Sequence, residues 1–280
     1  MIEPSNTDRI LSLHIKDDFM KRFISLILIS TLVFSFASCS LSDDITEPIT
    51  EAAPTTTLPV PEIDESTYSE KFKDENGRVV YTVDVIVPHL EEFDNSVLMA
   101  QVNTLSYELF KEACGKAELN IEKAAASMDS RNTSTPWSRR IDFEVSFVDG
   151  HFVSFIIKEY FSSFGTEGEP TYKSATFSVT DGSPCYLTDF APDTSREELA
   201  EKIVENLLCP AISSRFYNDH PLDEEQKQLV RDSFFYENFY LTPEGVGFYM
   251  SNYVFNSMLS GEYTAHFTWE ELSGIMALPE

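Results

Sequence analysis

The sequence predicts an α+β domain of antiparallel hairpins with two main helical segments packed on one sheet face. Three observations predict it. Apolar and aromatic residues alternate with a period of two in several stretches. Two longer stretches carry apolar residues at helical spacing. Gly, Pro and Asp-Gly signals separate these stretches, and no fixed-period repeat is present. Helices inserted between hairpins give a sandwich in which one sheet face is covered.

The elements follow in order. Val79, Tyr81, Val83, Val85 and Val87 alternate with Val80, Thr82, Asp84 and Ile86, which predicts a strand closed by Pro88. Asn95 or Ser96 caps a helix over about residues 96–126, with Val102, Leu105, Leu109 and Ala113 at helical spacing. Ile141, Phe143, Val145 and Phe147 alternate, Asp149-Gly150 suits a type I′ turn, and Phe152 to Phe161 return as the partner strand. Residues Thr171 to Thr180 form another strand before a turn at Asp181-Gly182. Thr194 and Glu197 stand in capping-box register for a helix with Leu199, Ile203 and Leu207 on one stripe, which Pro210 kinks or ends before a second piece. A second hairpin turns at Pro243-Glu244-Gly245, Tyr263 to Trp269 form the last strand, and residues 270–277 cap the domain.

The amino-terminal part predicts an address. From Met20, a short basic start at Lys21 and Arg22 leads into an uncharged apolar run that ends in small residues before Cys39, the layout of a secretory signal. The run is too short for a permanent span, which needs roughly twenty helical residues. Following Phe-Ala-Ser, Cys39 resembles the lipid-modified cysteine of a bacterial lipobox, with Phe36 where leucine is usual. That resemblance implies a diacylglyceryl anchor on Cys39 and a location on the extracytoplasmic face of the cell membrane. Residues 1–19 read as an extension outside the translated chain, and residues 20–38 as the signal peptide. Residues 39–68, the lipidated cysteine with an acidic Thr/Pro-rich stretch, read as a disordered tether. Residues 69–280 are then the folded domain.

Formal net charge is −27, and removing residues 1–38 leaves it unchanged because that stretch holds four basic and four acidic residues. So large an acidic excess excludes nucleic acid as a partner and favours basic proteins or cations. Besides Cys39 there are Cys114, Cys185 and Cys209, which allow one disulfide with one free thiol or three thiols; the expectation is thiols. No Cys/His spacing indicates zinc, no HExxH pattern surrounds the scattered His89, His151, His220 and His266, and no GxSxG elbow surrounds a serine. No metal, cofactor or catalytic residue is therefore assigned. His151 is expected exposed beside its turn, and His266 structural. Acid pairs such as Glu197-Glu198 and Glu224-Glu225 fit helix starts.

An aromatic cluster remains: Phe234, Phe235, Tyr236, Phe239, Tyr240, Phe248, Tyr249, Tyr253 and Phe255. Strand alternation sends about half of it into the core. The rest is read as a platform for sugar rings or a tyrosine-rich interface, with Tyr249, Tyr253 and Phe255 as the candidate binding surface.

At these residues the chain resembles the extracellular domain shared by the anti-sigma factor RsiV and the N-terminal region of the peptidoglycan deacetylase PdaC. Phe239 to Thr242, Gly245, Phe248, Tyr249, Tyr253, Gly261 and Leu272 carry the resemblance, with Gly182, Leu187, Asp189 and Phe190 earlier in the chain. "FGTEGEPTYK" stands where the family often has Gly-Gly-Ala-His, so no role tied to that histidine transfers. The resemblance implies a sensor or binding module without its usual effector, and lysozyme or peptidoglycan as the ligand. The reading is a non-catalytic cell-surface binding lipoprotein; the alternative is an envelope hydrolase or deacetylase with an unrecognised site.

Overall fold

A computed structural model describes residues 58–163, 165–251 and 262–279 of the chain. Cys39, Tyr253, Phe255 and Gly261, together with the signal and most of the tether, lie outside the described residues.

The first sheet contains β1 (Asp64–Lys73), β2 (Val79–His89), β3 (Trp137–Val148), β4 (Phe152–Ser162) and β5 (Thr171–Ser178), paired in that order. Strand β1 begins inside the stretch read as tether. Only Tyr68 and Phe72 of β1 pack against the core, so the strand has little apolar signal of its own. Pro88 does not close β2; it lies within the strand, opposite Glu65. Most neighbours are antiparallel, but β2 and β3 pair in parallel, from Tyr81↔Trp137 to Val85↔Ile141. Parallel strands need a long crossover. The helices α1 (Ser96–Glu118) and α2 (Ile121–Arg131) supply it.

Those two helices replace the single helix expected over 96–126. At the break the Asn120 side-chain amide donates to the Lys116 carbonyl at 2.7 Å, competing with the helical ladder. Asn95 is the N-cap of α1, accepting from the Val97 and Leu98 amides at 3.0 and 3.1 Å. The β3–β4 hairpin forms where expected, without a type I′ turn: neither Asp149 nor Gly150 has positive φ. Instead the Asp149 carboxylate accepts the His151 and Phe152 amides, each at 2.7 Å, and closes the loop.

Beyond β5, Gly182 takes φ +76° in the expected turn. A 3₁₀ turn (Leu187–Phe190) leads to α3 (Arg196–Ile203). Its N-cap is Ser195, one residue later than the capping-box register predicted, and the Ser195 hydroxyl accepts from the Glu198 amide at 3.2 Å. The chain then widens into a π turn (Val204–Leu208), with the Cys209 amide donating to the Val204 carbonyl, before α4 (Cys209–Phe216). Pro210 has no N–H and would collide with a regular preceding turn, which the wider turn avoids. Helix α5 (Glu224–Ser233) follows, capped reciprocally by Asp223 and Gln226. The second sheet is β6 (Phe239–Leu241), β7 (Gly245–Ser251) and β8 (Glu262–Thr268), antiparallel in that order.

The fold is α+β, as the sequence predicts. The helical segments divide between the two sheets. Leu109, Ala113, Ala117, Ala124 and Met128 of α1 and α2 pack on Val83, Val85, Ile141 and Ile157 of the first sheet. Leu199, Ile203, Leu208, Ile212 and Val230 of the later helices pack on Leu241, Val246, Phe248 and Phe267 of the second. The faces left over meet through Ile156, Tyr172, Tyr240 and Tyr249. At this seam the Leu241 amide donates to the buried Ser154 hydroxyl at 3.0 Å.

Candidate functional site

Tyr249 is not a surface platform. It is 3% exposed, lies 6.0 Å from the Tyr172 ring between the sheets, and its hydroxyl sits 3.3 Å from that of Ser174. Alternation along β7 predicts that Tyr249 and Phe248 face opposite ways, and they do. Both directions are interior, because a second sheet covers the face that the sequence leaves open.

A cleft of about 440 Å³ lies at the N-terminal end of α1 among Phe93, Asp94, Asn95, Thr180, Asp181 and Leu58. Its principal polar groups are already engaged. Asn95 caps α1 with its oxygen and donates with its amide to the Val179 and Thr180 carbonyls at 3.0 and 3.1 Å. Asp181 accepts from the Ser183 amide and hydroxyl at 2.9 and 2.7 Å, which holds its carboxyl below the usual range. The Asp94 carboxylate and the Ser96 and Thr180 hydroxyls remain on its lining.

A smaller pair of clefts has the better chemistry. They measure about 150 and 130 Å³ and share Tyr186, Tyr236 and Glu237 in their linings, so they form one groove. Tyr186 precedes the 3₁₀ turn, its amide donates to the Asp189 carboxylate at 2.7 Å, and its ring is 53% exposed. Tyr236, in the loop between α5 and β6, donates its hydroxyl to the Arg196 carbonyl. The Arg196 guanidinium lies 4.1 Å from the centre of the Tyr236 ring, and Phe234 packs edge-on against it at 5.4 Å. These contacts fix the Tyr236 ring before any ligand arrives. Glu237 is 67% exposed on its side chain, 4.0 Å from Arg196, and its carbonyl accepts from the Ser174 hydroxyl at 2.9 Å. The edge of β5 forms one border, through Ser174 to Phe177.

Cys185 borders the groove, but burial, together with the Asp189 and Asp181 carboxylates, pushes its thiol up to about 12. It is therefore a poor nucleophile near neutral pH. Among the described residues no group of three or more His, Cys, Asp or Glu side chains converges to hold a metal ion. His151 is exposed beside its loop, and His266 lies 3.1 Å from the Tyr240 hydroxyl. Cys114, Cys185 and Cys209 are free thiols, as expected.

Residues 189–270 match the family model described as "Protein of unknown function (DUF3298)". That match covers Arg196, Tyr236 and Glu237 of the groove and stops short of Tyr186. Two crystal structures of DUF3298 family members are among the solved structures to which the chain is similar. One, from Bacteroides fragilis, is 16% identical with a TM-score of 0.47, covering 79% of this chain and 95% of that one. The other, from Pseudomonas aeruginosa, is 15% identical with a TM-score of 0.46, covering 78% and 94%. No curated protein matches the chain.

Sequence reasoning named Tyr236 within the aromatic cluster but missed Tyr186 and Arg196. Tyr186 interrupts no periodic pattern. Arg196 reads simply as the first residue of a helix.

Proposed function

We propose that the chain is a cell-surface lipoprotein, anchored through Cys39, whose DUF3298-matching domain is a non-catalytic binding module for a basic wall-active protein of the lysozyme kind. The observation that carries this reading is the groove, where one exposed tyrosine, one pre-positioned tyrosine and an exposed carboxylate border a single depression. Tyrosine-rich surfaces with a few fixed polar groups are typical of recognition sites. The net charge of −27 favours encounter with a basic partner. The resemblance to the RsiV and PdaC extracellular domains supports the same ligand class.

Calorimetric titration of the full chain with a basic c-type lysozyme, at low and at physiological salt, tests it. The expected result is saturable binding that persists at physiological salt and weakens by about tenfold or more in Tyr186→Ala, as loss of an aromatic anchor does. Absence of binding, or loss of it at modest salt, defeats the lysozyme reading. The anchor has its own test: Cys39→Ala should move the chain from the membrane fraction to the soluble one, and retention in the membrane overturns the lipoprotein assignment.

A second reading takes wall glycan as the ligand. The exposed ring of Tyr186 favours it, since a sugar face can stack there. Titration with soluble peptidoglycan fragments separates the two.

A further inference from the structure

Strand β5 is the last strand of the first sheet, and part of its outer edge is already in use. The Ser178 amide donates to the Ser183 carbonyl at 2.9 Å, and the Cys185 amide donates to the Thr176 carbonyl at 2.8 Å. Phe177 and Pro184 thereby form an isolated antiparallel bridge. Segment 183–185 is a fragment of a sixth strand. It ends when the chain turns at Tyr186 into the 3₁₀ turn.

The bonds to Thr176 and Ser178 also fix a parity. Backbone groups of successive strand residues point to alternate sides, so the even-numbered residues of β5 direct N–H and C=O away from β4. The next two in line are Ser174 and Tyr172. Among the described residues no group pairs with the backbone N–H or C=O of either, nor with the N–H of Thr176. The open edge lies where the groove begins, with Ser174 and Thr176 on its border and Tyr186, Tyr236 and Glu237 facing it.

We infer that this edge binds a basic partner protein by strand addition: an extended segment continues the sixth strand begun by residues 183–185. Its backbone exchanges both bonds with Ser174, and one side chain enters between Tyr186 and Tyr236. Edge pairing supplies affinity and the pockets for alternate side chains supply selectivity. Charge fixes the class of segment. Exposed Glu169 precedes β5 and exposed Glu237 stands beside Ser174, while the two nearby cations already face carboxylates, Lys173 at 2.7 Å from Glu112 and Arg196 at 4.0 Å from Glu237, so with the net charge of −27 the stretch favours lysine or arginine next to the paired residues. This inference rests on the proposed binding role for its partner and goes beyond it in the mode of binding.

Ser174→Pro tests it with little disturbance to the sheet. The Ser174 amide points away from β4, so proline removes the outward donor without removing a bond of the ladder, as edge strands tolerate. Ser174→Ala is the control, because it loses the hydroxyl contact to Glu237 but keeps the amide. Two probes are used with the full chain: a basic c-type lysozyme, and a short synthetic peptide alternating valine with lysine. Amide hydrogen exchange is read at Tyr172 and Ser174, the two outward amides beyond the position that Cys185 already occupies, alongside binding. The expected result is slower exchange at these amides by about tenfold or more with a bound probe, unchanged in Ser174→Ala, and binding at least about tenfold weaker in Ser174→Pro at equal thermal stability. Lysozyme binding that leaves these amides unprotected overturns strand addition and leaves the binding role standing. Protection by the peptide without lysozyme binding overturns the assigned partner and upholds strand addition. Protection by neither probe overturns strand addition. If Ser174→Pro fails to fold, the exchange pattern in the unchanged chain decides alone.

Discussion

The ring of Tyr240 lies across Gly247 on the neighbouring strand, so closely that a β-carbon at Gly247 would stand 2.2 Å from the tyrosine Cζ. The glycine is required by this contact and not by backbone strain, since its φ is not positive. The tyrosine covers the bare strand and reaches His266 with its hydroxyl at 3.1 Å. Gly247→Ala is expected to force Tyr240 out of its position and destabilise the domain by about 1–3 kcal/mol, the usual cost of overpacking. Urea denaturation measures this. A double variant, Gly247→Ala with Tyr240→Ala, should lose less than the sum of the two single changes, because the clash is gone.

Asn95 joins two parts of the first unit of packing. Its oxygen caps α1, while its amide ties that helix to the carbonyls that follow β5. Asn95→Ala removes both at once and should cost about 1–2 kcal/mol, at the upper end for a cap. Asn95→Asp keeps the acceptors and loses the donor. It also sets a carboxylate oxygen against the Val179 and Thr180 carbonyls, so it should recover only part of the stability, and an Asp variant as unstable as the Ala one would show that this repulsion cancels the cap.

These two relationships differ in how visible they are from sequence. Asn95 before an apolar-periodic run is a local signal, and the helix start follows from it. The β3–β4 hairpin is legible for a similar reason: both strands are contiguous and alternate. Strand β1 is not legible, because an edge strand with two inward aromatics reads as polar chain. The helix break at Asn120 is hidden because a side-chain bond to Lys116 decides it. Tyr249 reads from sequence as a surface residue and is buried, because alternation tells which residues share a face but not what covers that face. The groove fails for the same reason at longer range. Tyr186 and Tyr236 are fifty positions apart, and only the packing of the second sheet against β5 brings them to one depression.

Glu112 links α1 to β5. Lys116 lies 2.8 Å and Lys173 2.7 Å from its carboxylate. Burial alone would raise its pKa, but the two ammonium partners outweigh it and lower the carboxyl from 4.5 to about 2. A carboxyl depressed on folding stabilises fully above its unfolded value and loses that contribution as pH falls through the folded one. The window is therefore about pH 4.5 down to about pH 2. Because the side chain is 46% exposed, solvent screening reduces the effect to about 1 kcal/mol or less. Glu112→Gln should lower stability at neutral pH by about that amount and flatten the acid limb of a stability profile in this window. An unchanged limb would mean that the pair is fully screened.

The three thiols provide a check on the packing around the groove. Burial raises the pKa of Cys114, of Cys209 and, furthest, of Cys185, which reaches about 12. Alkylation requires thiolate, so a thiol at that value reacts several orders of magnitude more slowly near neutral pH than a free cysteine does. Mass spectrometry after a timed pulse of iodoacetamide should therefore find Cys185 unmodified in the native chain and labelled after denaturation. Prompt native labelling would show that the half-buried thiol ionises more readily than its place beside Asp181 and Asp189 allows, as it would if the 183–186 segment left the edge of β5 in solution. That departure would also open more of the edge than the structure does, and Ser174→Pro would then leave Thr176 and Ser178 free to pair with a partner.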